Sequence, residues 1–285
     1  MHDKAVRRVA VELVTVPTSD GWELDALIYP ARKEGQSDTV LLHLHGKGAS
    51  MLDIHARWLP DLLPSGGHFA INMRCHSLAY NTDREDRPVA GGMYESLEEG
   101  AHDVEAAVAF LRSEGYTKIV ISSHSSGGYY AGMYTPVGED IVGRIFLSPL
   151  TDNKVALDWW FPESSQLDDA LGMARNLVEH GRPDELIPLP SWYWGISARS
   201  LVERALQPNS NVWVNAVNSL PSPVLFAWGA TESRNKLWKS LSQQLAPPTE
   251  AFALEGSDHW YHGYEDVVAE HVANFVHRIT GNDPR

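Results

Sequence analysis

The segment most informative about this chain is Lys118-Ile119-Val120-Ile121-Ser122-Ser123-His124-Ser125-Ser126-Gly127-Gly128. It begins as a β-branched strand, continues through small residues around one serine, and leads into a helix-forming stretch at 129–133. A serine held at a sharp strand-to-helix turn exposes its hydroxyl above the sheet, and the crowded backbone there requires small neighbours. Ser125 is therefore the candidate nucleophile of this chain.

The motif around Ser125 departs slightly from the usual form of such a turn, G-x-S-x-G. It reads Ser123-His124-Ser125-Ser126-Gly127, with serine where the first glycine normally lies. A string this short recurs by chance, and a strand-to-helix turn without a catalytic role is the alternative interpretation. Residues elsewhere in the chain that could serve as the base and the acid would favour the catalytic interpretation over the non-catalytic turn.

A base and an acid follow the serine in the order that this chemistry requires. A buried strand at 223–229 ends in a turn that carries Glu232, and a strand-like run at 251–254 leads to a loop with His259. Histidine can take the proton from Ser125 while the carboxylate orients the ring and stabilises the imidazolium. A chain with 13 histidines can place one here by accident, so the prediction depends on the joint pattern.

Two aspartates are alternatives to Glu232 as the acid. Asp152 follows the strand before the one that leads to Glu232. Asp258 adjoins His259, but neighbours in a loop rarely point at each other. We predict that Glu232 is the acid and that Asp152 is the alternative.

An apolar strand predicted over 39–43 leads into His45-Gly46-Lys47-Gly48. The main-chain N–H groups of Lys47 and of Ser126 are the predicted donors of an oxyanion hole. Because this role uses only the backbone, we expect the side chain of Lys47 to be solvated.

Histidines near the same edge of the sheet suggest two further roles. His43 and His45 lie two residues apart in a strand and would face the same side, as metal ligands do. No Cys/Asp cluster joins them and His45 belongs to the oxyanion motif, so we predict no metal site. His76 ends the segment after the strand at 68–72, and we predict that it contacts substrate.

Taken together, the turn at Ser125, the loop at 45–48, Glu232 and His259 resemble the α/β-hydrolase superfamily, and the resemblance covers nearly the whole chain. It implies a mostly parallel central sheet with helices on both faces. Two departures from the family pattern, the serine at position 123 and an acid that is Glu rather than Asp, are tolerated variants. The nucleophile argues against haloalkane dehalogenases and epoxide hydrolases, which use Asp there.

Composition limits the function classes. The 285 residues are 43% hydrophobic and 21% charged, which fits one globular α/β domain with an insertion. The net charge of −14 disfavours nonspecific binding to nucleic acid or to an anionic membrane. The single cysteine, Cys75, excludes an intramolecular disulfide and favours a reducing compartment. The sequence has no apolar run of membrane-spanning length and no signal-like N-terminus, so the cytoplasm is the expected location.

Short apolar strands alternate with helical stretches predicted over 53–63, 96–113 and 267–279, the pattern of a parallel sheet. Between 148 and 223 this alternation is interrupted. We therefore predict a core domain formed by 1–148 and 222–285 and an insertion at 149–221, with helices at 167–180 and 198–206.

The insertion carries half of the chain's ten tryptophans, namely Trp159, Trp160, Trp192, Trp194 and Trp213. In α/β-hydrolases an insertion at this point commonly forms a helical cap over the nucleophile. Because ligand pockets are largely apolar and aromatic, we predict that the first four contact substrate. Packing of the insertion onto the core is the alternative for any one of them.

The resemblance implies hydrolysis of a carboxylic ester or lactone through an acyl-enzyme on Ser125, without a metal or an organic cofactor. The expected partner is a small-molecule ester or lactone, and the sequence does not determine the oligomeric state. Thioesterases, C–C bond hydrolases, amidases and peptidases use similar machinery. A cofactor-free biosynthetic lyase or cyclase and a non-catalytic ligand receptor are further alternatives.

Overall fold

The computed structural model describes residues 9–29, 38–53, 55, 58, 66–135, 138–192, 194–206, 210–246 and 248–281. Along these residues the strands are β1 (Glu12–Pro17), β2 (Glu23–Tyr29), β3 (Thr39–Leu44), β4 (Gly67–Ile71), β5 (Tyr80–Asn81), β6 (Val89–Ala90), β7 (Lys118–His124), β8 (Ile141–Leu147), β9 (Leu186–Pro188), β10 (Gly195–Ser197), β11 (Val224–Gly229) and β12 (Thr249–Leu254). The α-helices are α1 (Gly100–Ser113), α2 (Ser126–Met133), α3 (Asn153–Trp160), α4 (Ser164–Glu179), α5 (Ala198–Leu206), α6 (Ser210–Asn218), α7 (Asn235–Ser242) and α8 (Glu265–Thr280).

Eight strands form the central sheet, in the order β1-β2-β4-β3-β7-β8-β11-β12. The hairpin of β1 and β2 forms one edge, and β2 runs antiparallel to β4. From β4 through β3, β7, β8 and β11 to β12, every neighbouring pair is parallel. The central strands β3, β7 and β11 are almost entirely buried, as expected for a parallel sheet covered on both faces. The predicted mostly parallel sheet is confirmed.

Helices cover both faces of this sheet because successive strand residues point to opposite sides. Leu42 and Ile121 belong to the core that includes the apolar stripe of α1, whereas Leu41 and Val120 belong to the core that includes α8. Among the residues described, no helix is both long and apolar enough to cross a bilayer.

The helix predicted over 96–113 begins four residues later, at Gly100. The backbone N–H groups of Leu97 and Glu98 instead donate to Glu203 Oε1, at 2.6 and 3.2 Å. A distant carboxylate therefore accepts from two N–H groups just ahead of the helix, which would lack an intrahelical acceptor even if the helix began at 96. The helix predicted over 53–63 lies mostly outside the described residues.

The segment between β8 and β11 contains α3 to α6 and the antiparallel pair β9–β10. Its helices α4 and α5 match the two that the sequence predicts there. Helix α6 packs differently, because Trp213 is only 1% exposed, lies against Phe146 and donates its indole N–H to the Gly128 carbonyl at 3.0 Å. The last helix of the segment is therefore part of the core layer beside α2.

Candidate active site

Ser125 lies between β7 and α2 with backbone angles φ 51° and ψ −119°. Positive φ is strained for a residue with a side chain, and such strain concentrates at functional sites. A Cβ at Gly127 would collide with the Leu44 carbonyl oxygen, and one at Gly128 would collide with Pro149. The two glycines are required because α2 begins pressed against the neighbouring backbone.

Ser123 occupies the position where a glycine is usual, and the structure shows how it is accommodated. Its buried hydroxyl donates to the Ile145 carbonyl at 3.0 Å, so the extra polar group is satisfied within the sheet. On the other side of the turn, a Cβ placed on Gly46 would lie 3.0 Å from Ser125 Cβ. The loop at 45–48, hereafter the oxyanion loop, therefore passes directly beside Ser125.

His259 and Glu232 meet at the end of the sheet. His259 Nδ1 lies 2.6 Å from Glu232 Oε2, within the range of a charge-assisted hydrogen bond. Because the carboxylate can only accept, the bonded nitrogen carries a proton, and Nε2 is the ring nitrogen that can act as a base. The backbone of His259 is held by His124, whose Nε2 donates to the His259 carbonyl at 2.9 Å.

The other oxygen of Glu232 is held by two groups that sequence reasoning missed. Glu232 Oε1 accepts from the Ser148 hydroxyl at 2.6 Å and from the Gly229 N–H at 3.0 Å. The Tyr261 hydroxyl lies 2.9 Å from Ser148 Oγ and 3.1 Å from the Ala227 carbonyl oxygen. Burial raises the pKa of Tyr261, so this hydroxyl stays protonated and can donate. No local sequence pattern around Ser148 or Tyr261 predicts that these residues hydrogen-bond behind Glu232.

The alternative acids have other partners. Asp152 Oδ1 accepts the N–H of Lys154 at 2.8 Å and caps the N-terminus of α3. Asp258 Oδ2 lies 2.8 Å from His262 Nδ1. The structure thus brings Glu232, rather than either aspartate, to His259.

His45 anchors the oxyanion loop. Its Nε2 accepts the N–H of Met73 at 3.0 Å, so its Nδ1 carries the proton and donates to the Gly46 carbonyl at 2.8 Å. Burial lowers the pKa of His45 to about 4, against the raising effect of the Gly46 carbonyl. A neutral, fully buried ring therefore fixes the backbone that leads to Lys47 N–H.

The side chain of Lys47 is not solvated, contrary to the expectation from sequence. It is 8% exposed, and Nζ lies 3.1 Å from Glu95 Oε2. Glu95 also pairs with Arg204 and accepts the Tyr130 hydroxyl at 2.7 Å. The expectation was wrong because the counter-ion comes from a loop 48 residues further along the chain.

Burial and the mutual charges shift the pKa values in this cluster, hereafter the Glu95 cluster (Lys47, Glu95, Arg204). Burial lowers the pKa of Lys47 to about 8, although Glu95 acts in the opposite direction. Burial alone would raise the pKa of Glu95, but the charges of Lys47 and Arg204 and the Tyr130 hydroxyl outweigh it and bring that pKa to about 2. The carboxylate is therefore ionised at neutral pH.

A cavity of about 360 Å³ opens above Ser125, within the usual size of a small-molecule site. The candidate triad, the residues of the predicted oxyanion hole and all four predicted tryptophans line it. Its full lining is Gly46, Lys47, Ser125, Ser126, Leu150, Ala156, Trp159, Trp160, Trp192, Trp194, Arg204, Thr231, Glu232, Ser233, Arg234, Asp258, His259 and Trp260. This space is hereafter the Ser125 cavity.

Three of the four tryptophans form a row in which each ring contacts the next. The rings of Trp159 and Trp192 have centroids 4.4 Å apart, and those of Trp192 and Trp194 are 5.8 Å apart. Trp160 instead contacts the Glu95 cluster, with the cations of Lys47 and Arg204 each 5.3 Å from the ring centroid. We call these four residues the tryptophan wall.

The structure does not bring His76, the remaining predicted substrate contact, into the Ser125 cavity. It lines a different cavity of about 590 Å³, together with Trp22, Asn72 and Arg84. Its ring stacks on Tyr80 at 4.0 Å between centroids. The backbone just before His76 packs on the oxyanion loop, where the Gly48 N–H donates to the Cys75 carbonyl at 3.2 Å, and the sequence carries no signal for which cavity His76 lines.

Residues of metal-ligand type come together at one place in the described part of the chain. His43 Nε2 and His55 Nδ1 lie 3.6 and 3.7 Å from Asp53 Oδ2, and the three atoms lie within 4.8 Å of one another. The group is buried beneath the strand-to-helix turn at Ser125, hereafter the elbow. There the rings of His55 and His124 are 4.0 Å apart. It does not include His45, which bonds to backbone, so the pairing of His43 with His45 that the sequence suggested does not form.

Comparison with known proteins adds family membership to this geometry. A sequence model described as "Alpha/beta hydrolase family" matches residues 40–271. No curated protein matched the sequence significantly.

Solved structures with similar folds come from several organisms. The alpha/beta hydrolase GrgF from Penicillium sp. sh18 superposes with a TM-score of 0.73 at 15% identity, over 96% of this chain and 100% of its own. Est1E from Butyrivibrio proteoclasticus, solved with ferulic acid, gives 0.68 at 18% identity, over 94% and 100% of the two chains. The Pyrococcus furiosus esterase Pf2001 gives 0.59 at 17% identity, over 95% and 93%. With the strand order, the elbow at Ser125 and the family model in agreement, this chain belongs to the alpha/beta hydrolase family.

Proposed function

We propose that this protein is a serine hydrolase that cleaves a carboxylic ester or lactone through an acyl-enzyme on Ser125. The observation that carries the proposal is the 2.6 Å bond between His259 Nδ1 and Glu232 Oε2, beside a cavity that Ser125 also lines. A strained serine, a histidine and a carboxylate in this order are the parts that acyl transfer requires.

In the first half of the reaction, His259 Nε2 takes the proton of the Ser125 hydroxyl as Oγ attacks the carbonyl carbon. The carbonyl π bond opens and its oxygen becomes the oxyanion of a tetrahedral intermediate. As the intermediate collapses, the bond from carbon to the leaving oxygen breaks, and His259 returns the proton to the alcohol. Glu232 stabilises the imidazolium that forms between these two transfers.

The oxyanion would accept hydrogen bonds from the N–H groups of Lys47 and Ser126. Two features support this assignment: Gly46 packs beside Ser125, and His45 holds the loop from below. Donors held in place before the reaction stabilise developing charge without reorganisation.

In the second half, His259 removes a proton from water, whose oxygen attacks the acyl carbon. The carbon–Oγ bond then breaks, Ser125 recovers the proton from His259, and the carboxylic acid leaves. A lactone follows the same steps, with the alcohol and the acid released as one molecule.

The segment 149–221 would act as the cap that selects the substrate, because it supplies the whole tryptophan wall. Other proteins with this fold are esterases, including Pf2001 from Pyrococcus furiosus and an esterase domain from Rhodothermus marinus. Their chemistry supports an ester as the first substrate class to test.

The decisive experiment combines turnover with active-site labelling. Purified protein is assayed against p-nitrophenyl esters of rising chain length and a panel of lactones, and is then treated with a fluorophosphonate probe. The proposal expects turnover in at least one panel and a probe adduct on Ser125 that the variant Ser125→Ala lacks. Intact binding of esters without turnover or labelling would instead favour a receptor.

A further inference from the structure

Arg234 is a charged residue of the Ser125 cavity that ester cleavage leaves unused. It lies two residues after Glu232, directly before α7, and its guanidinium lies 5.8 Å from the ring centroid of the buried Trp238. Among the residues that the structure describes, no carboxylate or carbonyl oxygen is within hydrogen-bonding or ion-pair distance of this guanidinium.

Other charged groups around the cavity are already paired. Lys47 and Arg204 share Glu95, and Arg204 also donates to Asn153 Oδ1 at 2.7 Å. The two acidic groups of the lining, Glu232 and Asp258, are bonded to histidines. Arg234 thus differs from its neighbours, because no described residue of opposite charge lies within ion-pair distance of it.

Keeping an unpaired cation partly out of water costs free energy. Burial lowers the pKa of Arg234, although the charge of Glu232 acts in the opposite direction. The contact with the Trp238 ring is not a hydrogen bond, so among the described residues the guanidinium N–H groups have no acceptor. Those donors are suited to a ligand that brings its own negative charge.

We propose, building on ester hydrolysis at Ser125, that the physiological substrate carries a carboxylate in addition to the scissile ester and that Arg234 binds it. A planar guanidinium matches a carboxylate with two parallel hydrogen bonds. One unpaired cation balances the single charge of a carboxylate. A phosphate monoester carries nearly two charges at neutral pH, and its excess charge would lie near Glu232 and Asp258.

The kinetic test uses substrate pairs that differ only in this charge. For a carboxylate in the acyl part, the pair is p-nitrophenyl hydrogen glutarate and its methyl ester. For a carboxylate in the alcohol part, the pair is 4-acetoxybenzoate and methyl 4-acetoxybenzoate. Wild-type protein should prefer the acid in at least one pair by about tenfold to a hundredfold in kcat/KM, the usual effect of a charge-assisted bidentate bond.

Variants then assign that preference to Arg234. Arg234→Met should remove most of the preference, and Arg234→Lys should keep part of it because the charge remains without the planar fork. The matched control is Arg182→Met, an exposed arginine that pairs with Glu185 at the end of α4, which should leave the preference as in wild type. Raising the salt concentration should weaken the preference in wild type.

A binding arm separates this proposal from ester hydrolysis itself. In Ser125→Ala protein, calorimetry should show 4-phenylbutyrate binding more tightly than its methyl ester, and the difference should vanish in Ser125→Ala/Arg234→Met. This binding result would support the carboxylate site even if the protein turned over no ester in any panel. A lack of turnover would overturn the proposed hydrolysis but not the carboxylate site. Equal binding of acid and ester, a preference unchanged by Arg234→Met, or tighter binding of phenyl phosphate than of 4-phenylbutyrate would each overturn the carboxylate assignment.

Discussion

The two walls of the Ser125 cavity are built in different ways. On one side lies the carboxyl edge of the sheet, with Ser125, the oxyanion loop, Glu232 and His259. On the other side lies the tryptophan wall, which comes entirely from the segment between β8 and β11.

The sheet-edge wall is held by backbone geometry and by buried hydrogen bonds. Its serine has its conformation imposed by the turn, its carboxylate is bonded by Ser148 and Gly229, and its oxyanion loop is fixed by His45. Each of these restraints has a direction and a length, so small displacements are opposed. Acyl transfer needs this precision, because reacting groups misplaced by an ångström lose much of their rate.

The tryptophan wall is held by contacts between rings and by the ions of the Glu95 cluster. Trp159 is 43% exposed, whereas Trp160 is 5% exposed and lies against two cations. Apolar contacts have no strict direction, so this wall tolerates changes of shape. Under the proposed function, we therefore expect the sheet edge to determine the reaction and the tryptophan wall to select the substrate.

The most severe test of the sheet-edge wall is Ser125→Ala. The change removes one hydroxyl, so we expect turnover of the best ester to fall by a factor on the order of 10⁴ to 10⁶, with residual activity from the oxyanion hole. Steady-state assays measure the loss, and thermal melting close to that of wild type shows that the fold survives. Activity within about tenfold of wild type would contradict the assignment of the nucleophile.

The acid is tested by a pair of isosteric variants. Glu232→Gln should lower kcat by about 10² to 10⁴, because the His259 ring loses its counter-charge and can adopt the wrong tautomer. The matched control, Asp152→Asn, changes a helix cap and should have only a mild effect on turnover. The opposite ranking of kcat would move the acid to the end of β8.

The Glu95 cluster joins the two walls. The variant Glu95→Gln should therefore lower the free energy of unfolding. Leaving Lys47 and Arg204 buried without their carboxylate should cost about 3–5 kcal/mol in the free energy of unfolding at pH 7. Urea denaturation measures the change. The control, Glu250→Gln, removes one member of an exposed pair with Arg278 and should cost at most about 1 kcal/mol. Equal losses in the two variants would show that the buried cluster does not connect the walls.

The same variant should alter the pH dependence of stability. The pKa of Glu95 is about 2 in the folded protein against 4.5 for an ordinary glutamate, so the unfolded chain takes up its proton first as pH falls. The contribution of Glu95 is therefore fully present above about pH 4.5 and is lost as pH falls towards 2. Urea midpoints of wild type and Glu95→Gln should differ most at neutral pH and converge in acid. A constant difference across this range would argue against the ionised carboxylate.

The smallest expected effects belong to the tryptophan wall. Trp159→Ala should raise KM for bulky apolar esters more than for acetate esters, by roughly five- to thirtyfold if about 40–80 Å² of contact is lost at about 25 cal/mol per Å². Its melting temperature should change little because the side chain is exposed. Trp160→Ala should change both selectivity and stability, since its ring lies within the Glu95 cluster.

Trp213→Ala is the matched control for the wall, because Trp213 comes from the same segment but packs in the core. It should lower the melting temperature and affect all esters alike. If Trp159→Ala behaves in the same way as Trp213→Ala, the wall serves only as packing and substrate selection depends on other residues.

The sequence by itself determined the sheet edge. Strand periodicity predicted the parallel sheet, and the carboxyl ends of parallel strands lie at one edge, so residues just after β3, β7, β11 and β12 had to converge. Local backbone chemistry marked the elbow as well, because only glycine fits at positions 127 and 128. Each of these signals, a strand pattern or a turn, lies in a short run of residues. A sequence pattern can therefore carry it, although the strands themselves are far apart in the chain.

Only the tertiary structure decided how the polar groups behind that edge are paired. Glu95 reaches Lys47 and Arg204 across 48 and 109 residues, Tyr261 reaches Ser148 across 113, and His76 lines another cavity. Among the residues that the structure describes, it also left Arg234 without an ion-pair partner, whereas the other charged residues of the cavity lining have one. Such pairings depend on side chains that meet only after the layers have packed, and no periodicity records them. The order of the catalytic parts is therefore local information, whereas the charge balance of the cavity is a property of the folded chain.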